Sequence, residues 1–86
     1  MYEMIKMFIE NLKREDVNDF ALKNSVYLSE HELNFTYLFI KENGPELVKN
    51  PELLDLSKYK SYYTEENFSK IEKLLKEYML KFQSYL

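Results

Sequence analysis

An all-α fold, a compact bundle of four to five short helices, is what this sequence predicts, and three observations predict it. Apolar residues recur at helical spacing, beginning with Ile5, Phe8, Ile9 and Leu12 at i, i+3, i+4 and i+7. Helix-start signals stand at Ser29-Glu30-His31-Glu32 and at Thr64-Glu65-Glu66. Val, Ile and Thr are sparse, and nowhere do apolar and polar residues alternate as they do in a half-buried strand. Residues 1–86 contain no repeat and no Ser/Gly/Pro linker, so one helical domain is expected.

The first helix is expected over residues 2–13, with Met4 widening its apolar stripe. A short second helix follows over residues 15–24. Glu15 and Asp16 suit its positive N-terminal end, and Val17, Phe20 and Ala21 form a narrow apolar face. Ser29 opens the third. With Glu32 it makes a capping box, in which hydroxyl and carboxylate each satisfy an amide that the helix leaves over. Gly44-Pro45 is read as its stop, so it should end near Asn43. Its apolar residues form two sides, Leu33, Tyr37 and Ile40 against Phe35, Leu38 and Phe39, as in a helix packed between neighbours. Asn50-Pro51 starts a short helix expected to reach about Tyr59. In the last helix, Phe68, Ile71, Leu74, Leu75, Tyr78, Met79, Phe82, Tyr85 and Leu86 fall in a sector of roughly 140°, the core seam. Lysines face the other way, and Leu80 stands alone among them.

The chain has little to do chemistry with. It has no Cys, one Gly and one His, beside 8 Tyr and 6 Phe. Soft metal ligands and bases that titrate near neutrality come mostly from Cys and His. His31 with Glu30, Glu32, Glu3 or Glu10 is the one conceivable metal group, and no second His or Cys stands at ligand spacing. The acid pairs Glu15-Asp16 and Glu65-Glu66 fall at helix N-termini, where the dipole favours them without any catalytic purpose. Neither an enzyme nor a cofactor is expected.

Charge is uneven. Residues 1–57 hold six basic and eleven acidic groups, net −5, and residues 58–86 hold six and four, net +2. General nucleic-acid affinity rests on clustered Lys and Arg, so the acidic body argues against it. The local exception is the basic and aromatic segment with Lys58, Tyr59, Lys60, Tyr62, Tyr63, Lys70 and Lys73, a pattern suited to stacking on bases. Residues 15–43 resemble a helix-turn-helix pair only superficially. The helix that would read DNA carries Glu30, Glu32, Asn34 and Phe35, and carboxylates repel a phosphate backbone. The apolar runs are too short to cross a bilayer, and Met1-Tyr2-Glu3-Met4-Ile5-Lys6 lacks a signal-type leader. A cytosolic setting is therefore expected.

The run Ile9…Leu12…Val17-Asn18-Asp19-Phe20-Ala21…Leu28-Ser29-Glu30-His31-Glu32, with a terminal helix of the type Ile71…Leu75-Lys76-Glu77-Tyr78-Met79…Phe82, resembles a family of short uncharacterised helical cytosolic proteins of Bacillus-type Gram-positive bacteria. The likeness covers most of the chain and departs at Lys13-Arg14, where a Ser or Thr cap would be expected. It implies a bacterial cytosolic setting and transfers no active site.

The expected role is a small interaction or regulatory module, binding a protein partner or a second copy of itself through apolar helix surface. Phe35, Leu38, Phe39 and Leu80 are the candidate contact residues, and at least part of that patch is expected to stay open. The alternative is a small RNA- or DNA-binding module using the Lys/Tyr-rich segment.

Overall fold

Helix α3, Glu30–Lys49, touches every other element of the fold. Around it lie α1 (Tyr2–Glu10), α2 (Arg14–Lys23), α4 (Glu65–Gln83) and two 3₁₀ segments, Pro51–Leu53 and Ser57–Tyr62. The computed structural model describes the backbone of residues 2–83 and the side chains of residues 2–81. Among the described residues there is no strand, and no helix is long and apolar enough to cross a membrane. The all-α bundle is what the sequence predicts.

Each helix end has a physical cause. The Asn11 amide bonds the Met7 carbonyl at the end of α1, and Lys41 reaches from α3 to bond the carbonyls of Glu10 and Leu12. A lysine ammonium suits the negative end of a helix. At the start of α2, Asp16 Oδ2 accepts from the Lys13 amide at 2.9 Å, giving half a capping box without Ser or Thr. α2 ends in a Schellman motif. The Val26 amide reaches the Ala21 carbonyl at 2.8 Å, the Ser25 amide reaches Leu22, and Ser25 takes φ 60°. Val26 is then drawn into the core.

The expected stop at Gly44-Pro45 is corrected: α3 runs through both residues to Lys49. Gly44 has no positive φ and serves as a contact point instead. A Cβ there would stand 2.9 Å from Ile9 Cδ1, so the bare backbone lets α1 lie against α3. Pro45 has no amide for the Lys41 carbonyl, a loss of about 3 kcal/mol inside a helix. The turn beyond it buries Leu47 and Val48. At about 1.5–3 kcal/mol for each buried aliphatic side chain, that burial outweighs the proline.

The expected helix from Pro51 to Tyr59 is also corrected. It is two 3₁₀ pieces, broken at Leu54-Asp55-Leu56. Leu54 and Leu56 are both buried, and residues two apart cannot share one face of a helix. An extended residue at Leu54 breaks the helix and lets both turn inward, and the Leu56 amide is satisfied by Glu72 of α4 at 3.1 Å.

α4 begins as expected, with Thr64 Oγ1 accepting from the Asn67 amide at 3.2 Å. Ile71, Leu74, Leu75 and Met79 of its predicted seam are buried, with Phe68 and Tyr78 half-buried. The side chain of Phe82, and Tyr85 and Leu86, lie outside the described residues.

Candidate functional site

The most buried row of α3 was hidden in its sequence. Glu32, Thr36, Ile40 and Gly44, four apart, all face inward, although only Ile40 is a large apolar residue. Glu32 is 3% exposed. Its Oε1 accepts from the Ser29 amide at 2.8 Å and from Asn67 Nδ2 at 2.9 Å, and its Oε2 accepts from the Thr64 amide at 2.8 Å. Asn67 Nδ2 also bonds the Tyr27 carbonyl at 2.9 Å. One carboxylate thus ties the starts of α3 and α4 to the connection before α3. Burial pushes the Glu32 carboxyl up, but the Ser29 and Thr64 amides and the Asn67 side chain together hold it below the ordinary carboxylate range. Next along the row, Thr36 gives its one proton to the Glu32 carbonyl at 2.8 Å and so receives the Tyr63 hydroxyl at 2.5 Å. Burial, with the Glu32 charge nearby, pushes the Tyr63 phenol up to about 12. These groups are saturated by one another, which suits holding helices together.

The candidate contact residues fare differently from one another. Phe35 stacks on Tyr62 at 4.5 Å between ring centroids and 9° between planes, and Phe39 meets Tyr59 edge-on at 5.8 Å. The second apolar side of α3 is thus half covered by the 3₁₀ segment Ser57–Tyr62, and Phe35 and Phe39 are packing residues in part. Leu38 stays 48% exposed on α3, and Leu80 51% exposed on the outer side of α4. Phe39 therefore carries part of the packing energy, and a Phe39→Glu change would act on stability as well as on any contact.

The rings of the Lys/Tyr-rich segment pack on one another and on Phe35, while Tyr62 stays 42% exposed. Tyr63 is buried, Tyr59 and Tyr62 lie on Phe35, Lys58 stands over the Tyr59 ring, and Lys60 stands over Phe68. Lys70 pairs with Glu66 at 3.3 Å, and Lys73 is exposed on the same helix. His31 stacks on Tyr62 at 5.8 Å. The basic residues remain outside, but the stacking faces are largely occupied by other rings.

What the sequence did not disclose is a cleft of about 370 Å³ between α1, α2, α3 and α4. Val17, Ala21, Thr36, Ile40, Ile71 and Leu75, all buried, line its depth. Phe8, Phe20 and Tyr78 line it from three helices, with Phe20 and Tyr78 4.6 Å apart between centroids. Asp16, Asp19 and Lys23 of α2 bring charge to its wall. Phe8 is 46% exposed, and Met4 and Met7 beside it on α1 are 64% and 60% exposed. At spacings of three and four these three side chains share one face. α1 therefore has a buried edge, Ile5 and Ile9, and a more exposed apolar edge, Met4, Met7 and Phe8, of which Phe8 lines the cleft. A signal existed: Met4 and Phe8 widen the stripe of α1 beyond what one helix contact can cover. No protein-family model, no curated protein and no solved structure matches this chain.

Proposed function

We propose that this protein is a small interaction module that binds the apolar face of a helix from a protein partner in the cleft between α1, α2 and α4. One observation carries the reading: the cleft reaches fully buried residues of the core, and Phe8, which lines it from α1, shares a helix face with the exposed Met4 and Met7. Interiors normally contain few voids larger than a water molecule. A cleft of about 370 Å³ in so small a domain is within the size range of built binding sites, and an apolar one gains by exchanging water for side chains. Met4 and Met7, exposed on the same face of α1 as Phe8, add polarizable, unbranched side chains that adapt to what they meet. We place the module in the cytosol, in keeping with a cysteine-free chain that relies on no disulfide.

The test is a titration with a designed helical peptide bearing leucines along one face and glutamine elsewhere, followed by the aromatic ring signals in NMR. Saturable shifts of Phe8, Phe20 and Tyr78, weakened by Phe20→Ser, support the reading. Unmoved rings at saturating peptide, or shifts confined to Tyr62, contradict it.

A further inference from the structure

We infer that the helix taken by this cleft is a basic amphipathic one, its leucine-like anchors filling the cleft and its lysines or arginines meeting the α2 edge. This rests on the reading of the cleft as a helix-docking site and adds the chemistry of the partner. Among the described residues, the charged side chains along the cleft are Asp16 and Asp19 against one ammonium, Lys23. The Asp16 charge reaches inside: Tyr78, whose ring lines the cleft, has its phenol pushed up first by burial and then by Asp16. Of the helices around the cleft, α1, α2 and α3 lie within the stretch that carries net −5, and α4 within the stretch that carries net +2. Complementary potential speeds encounter and excludes like-charged partners, more than it adds to final affinity. An apolar cleft with carboxylates on its wall, beside exposed and adaptable methionines on α1, is a combination that suits basic amphipathic helices without demanding one sequence.

A second copy of this chain fits the cleft poorly. The outward side of α4 has the right charge, with Lys73 and Lys76, but among the described residues Leu80 is its one exposed large apolar side chain, and one leucine does not fill about 370 Å³. The uncovered edge of α1 is apolar, but Glu3 and Glu10 beside it outnumber Lys6 and would face Asp16 and Asp19.

The experiment compares three designed helical peptides with one leucine face and lysine, glutamine or glutamate on the remainder, at low and at physiological salt. Binding is read by the Phe8, Phe20 and Tyr78 ring shifts, and the mass of the protein alone is followed over a range of concentration. The expected order is lysine, then glutamine, then glutamate, with about tenfold or more between the extremes at low salt and a narrower gap as salt screens the charges. Asp19→Lys, on an exposed position of α2, should cut affinity for the lysine peptide several-fold with the far-ultraviolet circular dichroism unchanged. Equal affinity for all three peptides overturns the inference and leaves the docking reading intact. Failure of all three overturns both. Concentration-dependent mass with shifts at the same rings identifies a second copy as the occupant and overturns the inference.

Discussion

Glu32, in the first turn of α3, accepts a 2.8 Å hydrogen bond from the amide of Thr64, the residue that caps α4. Through that bond a carboxylate 32 residues earlier in the chain completes the start of a second helix. The positive ends of α3 and α4 therefore share one negative charge, and each benefits from it. Because the group is buried and its donors are amides, its loss leaves several polar groups without partners at once.

Glu32→Ala should therefore cost about 2–4 kcal/mol, since each buried donor left unpaired costs about 1–3 kcal/mol. Ser29→Ala removes only the hydroxyl that accepts from the Glu32 amide at 3.1 Å, and should cost about 0.5–2 kcal/mol. Urea denaturation of both variants checks the order. Equal losses would mean that Glu32 acts only as the second half of a capping box.

The same carboxylate gives the fold an acid limit. Its pKa is held below the ordinary 4.5 in the folded state, so the folded chain binds fewer protons there than the unfolded one. The stabilisation is whole above about 4.5 and is lost as pH falls through the lower, folded value. Denaturation midpoints measured from neutrality down into that window should decline in the parent and stay flatter in Glu32→Gln. An identical decline in both would assign the acid limit to other carboxylates.

Gly44 and Ile9 should be energetically coupled. Gly44→Ala gains about 1 kcal/mol of helix propensity but sets a methyl 2.9 Å from Ile9 Cδ1. That atom is the far end of a side chain, so the single variant should lie within about 1 kcal/mol of the parent. Ile9→Val removes the contacting carbon and alone should cost about 0.5–1.5 kcal/mol. In the Gly44→Ala background it should cost less, and strict additivity in the double-mutant cycle would mean that the two helices do not meet there.

Ser25 holds the left-handed position that ends α2, at φ 60°. A residue with a Cβ is disfavoured there by roughly 1–2 kcal/mol, and glycine is not. Ser25→Gly should raise stability by up to about 1 kcal/mol, after the greater flexibility of glycine in the unfolded chain is subtracted. A lowered thermal midpoint would contradict this account of the helix end.

The sequence disclosed local chemistry well and distant partners badly. The Ser29 box and the Thr64 cap depend on residues three apart, and the seam Ile71, Leu74, Leu75 and Met79 depends on spacing alone, so both could be read directly. Gly44-Pro45 was misread because its local preference for a stop is overruled by Ile9 on one side and by buried Leu47 and Val48 beyond. Phe35 and Phe39 looked unpartnered because their cover, Tyr59 and Tyr62, comes from a segment whose 3₁₀ path follows from Leu54 and Leu56 both turning inward. The buried clasp left one trace, Asn67, a polar residue at helical spacing within the apolar seam of α4, whose amide had to find a partner. The cleft left less, because a gap between four helices is a property of how they pack and not of any one stripe.

The claim at the centre of this account is that the exposed methionines of α1, Met4 and Met7, serve binding and not folding. The most direct measurement is made on Met4→Ser/Met7→Ser, which changes both exposed positions. The account predicts a chemical-denaturation stability within about 0.5 kcal/mol of the parent, as for most surface substitutions, together with a marked loss of affinity for the leucine–lysine helical peptide. Undiminished peptide binding, or a loss of stability of several kcal/mol, would contradict it.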